Sequence, residues 1–217
     1  MAMRRNRYLL LAGIVAVGAY ALGDLLSGLL YDGYSFRDQA ISELTAIGSP
    51  VRPLMVAVIT VHGLLLVAFG LGVWRSGDRR SLRWVGPFLI AANMVGLVLH
   101  PFFPMHSRGM TTGLTDTVHA ALTAVFSLFV LVALLLTAVG HRGWLRLYSI
   151  GTALVLVGFG LLSSLAIPNV DKNLPTPWMG AFERVNAYAY LGWLAVLSVI
   201  LIRRSRKKDT PHAVGAR

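Results

Sequence analysis

The chain contains no cysteine. That absence removes disulfides, a thiolate nucleophile and every Cys-ligated zinc or iron–sulfur site, although it does not reveal a compartment. Charge is scarce too: Asp, Glu, Lys and Arg together are 13% of the 217 residues, with nine acids against twenty bases. The sequence has neither a G-x-S-x-G elbow nor an H-E-x-x-H helix, so two compact hydrolase signatures are missing. It also has no convincing internal repeat.

Apolar residues dominate instead. Hydrophobic residues make up 56% of the chain, and mean hydropathy is +0.67. These values place the protein in the membrane class, because a soluble domain of this size could not expose so much apolar surface. A helix of roughly 20 apolar residues spans a bilayer core. Six segments qualify, at 8–30, 53–74, 84–99, 117–139, 144–167 and 185–202. A net charge of +11 would suggest nucleic acid if the bases formed one face of a soluble domain. Here they sort by loop, so no nucleic-acid partner is expected.

The N-terminal tail, the second and fourth loops with the adjoining start of the fifth span, and the C-terminal tail hold fifteen of the twenty Lys and Arg, against Asp78 and Asp209. The opposite side holds five bases and seven acids. By the positive-inside rule both termini are cytoplasmic, as an even number of spans requires. The expected fold is an all-α integral membrane protein of the plasma (inner) membrane, with a basic cytoplasmic N-terminus (1–7), a six-helix domain (8–202) and a basic cytoplasmic tail (203–217). Arg203, Arg204, Arg206, Lys207 and Lys208 would anchor the topology and attract anionic lipid. Arg4, Arg5 and Arg7 ahead of an apolar run resemble the start of a secretory signal, and Ala19-Tyr20-Ala21 resembles a cleavage site. The run continues to Leu30, long enough to span, which predicts an uncleaved first helix.

Polar residues concentrate on the outer side. The stretch His100 to His119, HPFFPMHSRGMTTGLTDTVH, gathers three of the six histidines, Asp116 and Arg108 between the third and fourth spans. The Pro after His100 predicts that the third helix ends there. In the first outer loop, Ser35 with Asp38 reads as a cap, Phe36, Ala40, Ile41, Leu44 and Ile47 recur at helical spacing, and Gly48 and Pro50 end the run. This predicts a short amphipathic helix on the outer surface, with Glu43 at the edge of its apolar arc. Asp24 closes the first span, and Glu183 and Arg184 open the sixth. His62 and Asn93 are the polar residues at midplane depth; each is more simply a packing residue with a hydrogen bond to a neighbour.

Three stretches taken together, YSFRDQAISELTAIGSP, FPMH followed by DTVHAAL, and GAFERVN, resemble the bacterial and archaeal DUF998 family of multi-span membrane proteins. The resemblance covers most of the chain in order. It implies a six-helix membrane fold and no established activity, and it singles out Glu43, His119, Glu183 and Arg184. His106 stands where a polar or acidic residue would be expected, so it is the position least supported by the resemblance.

Three function classes follow. A polar outer rim could bind a lipid or small molecule, or assist a membrane-protein partner or a second copy of the chain. The alternative is an outer-face enzyme acting on a lipid-like substrate, with Glu43, Asp116, His119, Glu183 and Arg184 as catalytic candidates. Its metal-assisted form would place a divalent ion such as zinc on His100, His119, Asp24 and Asp116. A bis-His haem is disfavoured because His62 lies far deeper than the other two. Transport ranks third, since few polar residues lie at the midplane.

Overall fold

The computed structural model describes residues 2–76, 80–110 and 113–209. Arg79 of the second loop and residues 210–217 of the basic tail lie outside the described residues. Among the described residues seven α-helices follow one another: α1 (Ala2–Leu30), α2 (Arg52–Ser76), α3 (Arg80–Phe102), α4 (Leu114–Gly140), α5 (Trp144–Ser164), the short α6 (Ile167–Asp171) and α7 (Met179–Asp209), with a 3-10 helix at Ile41–Thr45. All except α6 and the 3-10 helix are long and apolar enough to cross a membrane.

The long helices are apolar on every side, the pattern of a helix with protein on one face and hydrocarbon on the other. Leu22, Leu29, Leu64, Leu154, Leu161 and Leu165 are exposed. In water this surface would be a large liability; in a bilayer it is the lipid-facing wall. Each long helix packs on the next in sequence, α5 packs on α7, and α7 closes the ring against α1. Inside it Trp193, Phe69, Leu66, Leu134 and Leu194 are fully or almost fully buried. The Trp193 indole N–H is satisfied by Ser149 Oγ at 3.0 Å.

Small residues set the closest contact. A Cβ added at Gly86 would sit 2.5 Å from the Gly70 carbonyl oxygen and 2.5 Å from the Trp74 nitrogen. No rotamer change relieves a clash with backbone, so α2 and α3 need glycine there.

The two ends of the bundle differ. At the terminal end α1 meets the end of α2, where Asn6 Nδ2 donates to Ser76 Oγ at 2.8 Å. At the opposite end the loops fold into a cap. The first loop departs from the expected amphipathic helix. Ser35 and Asp38 form a local turn, with the Asp38 N–H 3.2 Å from Ser35 Oγ, because a capping side chain satisfies a turn as readily as a helix start. The helical piece is the 3-10 turn Ile41–Thr45, whose Ile41, Glu43, Leu44 and Thr45 are buried. Helix α3 also runs past the expected stop at His100 to Phe102. The Phe103 N–H still reaches the Leu99 carbonyl at 2.9 Å, which carries the turn beyond Pro101.

Gly86→Ala should weaken the α2–α3 contact by about 1–3 kcal/mol, the usual range for overpacking. Thermal unfolding in a mild detergent, followed by circular dichroism, checks this; an unchanged midpoint would mean that the helices separate without cost.

Candidate functional site

The cap is held by three acid–base pairs, two of which join segments far apart in sequence. The deepest is Asp24 with Arg184. Arg184 Nη2 lies 2.8 Å from Asp24 Oδ1 and Nε 3.1 Å from Oδ2, a two-pronged bond. Asp24 is 2% exposed, so its charge must be matched inside the protein. Tyr188, one helical turn after Arg184, donates its hydroxyl to Asp24 Oδ2 at 2.9 Å.

Arg184 also organises the first loop. Its Nη1 donates to the Phe36 carbonyl at 2.8 Å and the Gln39 carbonyl at 3.3 Å, and Nη2 donates to the Tyr34 hydroxyl at 2.9 Å. The guanidinium lies over the Phe36 ring at 4.7 Å and the Tyr34 ring at 5.5 Å. The Tyr34 hydroxyl in turn donates to the Ala40 carbonyl at 2.7 Å. Burial holds this phenol above its ordinary pKa, so it remains a donor. Chain entry into α7 is just as tight: a Cβ at Gly180 would overlap the Gln39 carbonyl oxygen.

The second pair joins the first loop to the third, the connection between α3 and α4. Arg108 Nε and Nη2 each lie 2.8 Å from a Glu43 oxygen, and Nη2 also donates to Thr176 Oγ1 at 3.1 Å. Glu43 is further held by the Ala40 N–H at 2.9 Å. The hydrogen bond to Glu43 raises the Arg108 pKa. Beside this pair Ile47 bridges to His106 in parallel: the Ile47 N–H reaches the Met105 carbonyl at 2.8 Å and the Ser107 N–H the Ile47 carbonyl at 3.0 Å. Glu183 accepts the Ile41 N–H, which ties the 3-10 helix to α7.

The third pair is Asp116 with His106, Oδ2 to Nδ1 at 2.7 Å. Asp116 also accepts the His106 N–H at 2.7 Å and the Gly113 N–H at 2.8 Å. His119 lies one turn further along α4 and turns away, its Nδ1 2.8 Å from the Phe103 carbonyl. Its ring packs against His100 with centroids 5.7 Å apart.

The sequence candidates therefore occupy one end of the bundle but separate into distinct partnerships. His100 and His119 are adjacent, whereas Asp24 is bonded to Arg184 and Asp116 to His106. Among the described residues no group of three or more His, Asp or Glu is arranged to hold a metal ion. Glu43, Glu183 and Arg184 meet through the first loop. Sequence reasoning passed over Tyr34, Thr176 and Tyr188, noted Arg108 only as part of its stretch, and gave His106 the least weight. Tyr188 had a readable signal, its i+4 spacing from Arg184; the others meet their partners only through tertiary folding.

Outside the spans, Asp38 forms a surface knot. Arg37 meets it at 2.8 Å and 2.9 Å, the Trp178 N–H at 3.0 Å, and the Arg37 guanidinium lies 5.4 Å from the centre of the Trp178 ring. The hydrogen bond from Arg37, then that from the Trp178 backbone, lowers the Asp38 pKa to about 2. Trp178 takes φ of +68°, which a non-glycine residue adopts only under tertiary constraint.

A ring of six apolar helices under an ion-paired cap defines a multi-span membrane protein. The chain matches the family described as "Protein of unknown function (DUF998)" over residues 14–200, and it belongs to that family. No curated protein and no solved structure gives a match.

Two measurements test this architecture. Asp24→Asn and Arg184→Gln should each destabilise the protein by roughly 3–5 kcal/mol, because each strands a buried partner, while the double variant should lose less than the sum. Additive thermal shifts would show that the pair is not coupled. Asp38 has a folded pKa below its ordinary 3.8, so it adds stability above that value and loses it as pH falls toward 2. Wild type and Asp38→Asn should thus differ in midpoint at pH 6 and converge near pH 2; a constant difference would contradict the depressed pKa.

Proposed function

We propose that this protein is a plasma-membrane binding or accessory protein. Its termini lie in the cytoplasm and its cap faces outward, where it recognises a lipid headgroup or small molecule or holds a membrane partner. The orientation rests on the charge asymmetry: the terminal end carries the bases and the capped end the acids. The basic tail meets anionic lipid on the cytoplasmic side.

One observation carries the binding reading. The rim charges are engaged with one another as latches between loops, Glu43 with Arg108 and Asp24 with Arg184, rather than held free to attack a substrate or exchange protons. Of the two arginines Arg108 is the accessible one, with its side chain 23% exposed against 13% for Arg184. Its planar fork suits a phosphate or carboxylate as well as it suits Glu43. An anionic headgroup reaching the cap would compete with Glu43 for that fork.

The His106–Asp116 pair favours a second reading, an outer-face enzyme. Asp116 accepts from His106 Nδ1 at 2.7 Å, which leaves Nε2 as a base oriented by a carboxylate, the relation found in hydrolytic dyads. The His106 side chain is 22% exposed, within reach of solvent.

Native mass spectrometry from a mild detergent, after incubation with phosphatidylglycerol or phosphatidylcholine, separates these readings. The binding reading expects a retained phosphatidylglycerol adduct that falls at least tenfold in Arg108→Gln. A bare chain, or an adduct indifferent to Arg108, would overturn it. Hydrolysis of either lipid that vanishes in His106→Ala would establish the enzyme instead.

A further inference from the structure

His100 and His119 sit side by side near the capped ends of α3 and α4, and the cap latches use neither. The hydrogen bonds fix which nitrogen of each ring carries the proton. His119 Nδ1 lies 2.8 Å from the Phe103 carbonyl. A carbonyl only accepts, so the proton is on Nδ1 and the Nε2 lone pair is free. His100 Nδ1 lies 3.4 Å from Thr45 Oγ1. The Thr45 hydroxyl spends its own hydrogen on the Ser42 carbonyl at 2.8 Å, so it can only accept from His100, and here too Nε2 keeps its lone pair.

Two imidazoles, each anchored through Nδ1–H to an oxygen and each left with Nε2 as a donor, reproduce the way proteins orient histidine ligands toward metal. Their centroids are 5.7 Å apart with the rings at 75°. A metal–nitrogen bond of about 2.0 Å on each ring, added to the ring radii, puts two imidazoles sharing an ion within roughly 6 Å of one another. His119 is 8% exposed, so a bound ion would sit largely out of water.

The surroundings select the ion. The two carboxylates that the sequence grouped with these rings are taken elsewhere: Asp24 by Arg184 and Tyr188, Asp116 by His106 and Gly113. Zinc asks for about four ligands, and no third His, Asp or Glu joins the pair among the described residues. A neutral pair of nitrogen donors in an apolar setting suits a cation of low charge and low coordination number, and imidazole is a good ligand for copper. We propose that His100 and His119 form a two-imidazole binding site for a monovalent copper ion. This site is independent of the ligand reading above, since it involves neither Arg108 nor an ion pair of the cap.

The test uses the full-length protein in mild detergent under anaerobic, reducing conditions. Cu(I) is titrated against a chromophoric chelator. The expected result is one equivalent bound, weakened at least tenfold in His100→Gln and in His119→Gln and retained in His106→Gln. Should a variant fail to fold, modification of wild-type histidines by diethylpyrocarbonate serves instead, with peptide mapping. Cu(I) should then protect His100 and His119 and leave His106 reactive. No stoichiometric binding, binding that survives both substitutions, protection absent from these two rings, or preferential capture of Zn²⁺ there would overturn the proposal.

Discussion

Arg184 is a permanent cation held mostly out of water, and the capped end of the molecule is arranged around satisfying it. A guanidinium has five N–H groups and no neutral form within reach, so each must find an acceptor when the residue is buried. The carboxylate of α1 takes one edge of the fork, and the Phe36 and Gln39 carbonyls with the Tyr34 hydroxyl take the rest. Those acceptors exist at that place only if the first loop folds back over the start of α7. Gly180 then has to be glycine, since the Gln39 carbonyl occupies the space of a side chain. The closure of α7 against α1 and the position of the 3-10 helix thus share one electrostatic cause.

The same logic separates the latches from the chemistry. Asp24, Glu43 and Arg184 look reactive as isolated residue types, but buried charges in low dielectric are held in whatever pairing neutralises them. His106 and the pair His100 and His119 differ from them. Each of these rings is anchored at Nδ1 to an acceptor, which leaves Nε2 as the basic atom. The latches tie the segments of the cap together, and the imidazoles stand apart from them.

The candidate site was partly legible. Glu43, Glu183, Arg184, Asp116, His100, His106 and His119 fall at the capped end, because acids and histidines are expensive in hydrocarbon and collect at helix ends. Their pairings were not legible. Asp116 stands three residues before His119, and both were candidates for one site, yet Asp116 bonds His106 while His119 faces Phe103. Arg108 carried no local signal, since its partner Glu43 is 65 residues away. The amphipathic pattern at 36–47 was real, but it is spent on a buried 3-10 turn. Its apolar residues meet Met55, Ile59 and the tyrosines of the cap rather than a membrane surface.

Six membrane-capable helices were determined by sequence alone, and so was the gathering of acids at one end. Both follow from a property that each segment carries by itself, the transfer of apolar or charged groups between water and hydrocarbon. Tertiary structure decided which carboxylate meets which cation, which histidine has its second nitrogen free, and that the first loop is a buried cap. Those outcomes depend on directional hydrogen bonds between segments up to 164 residues apart. Such bonds take their geometry from the packed bundle, and no local pattern in the chain encodes it.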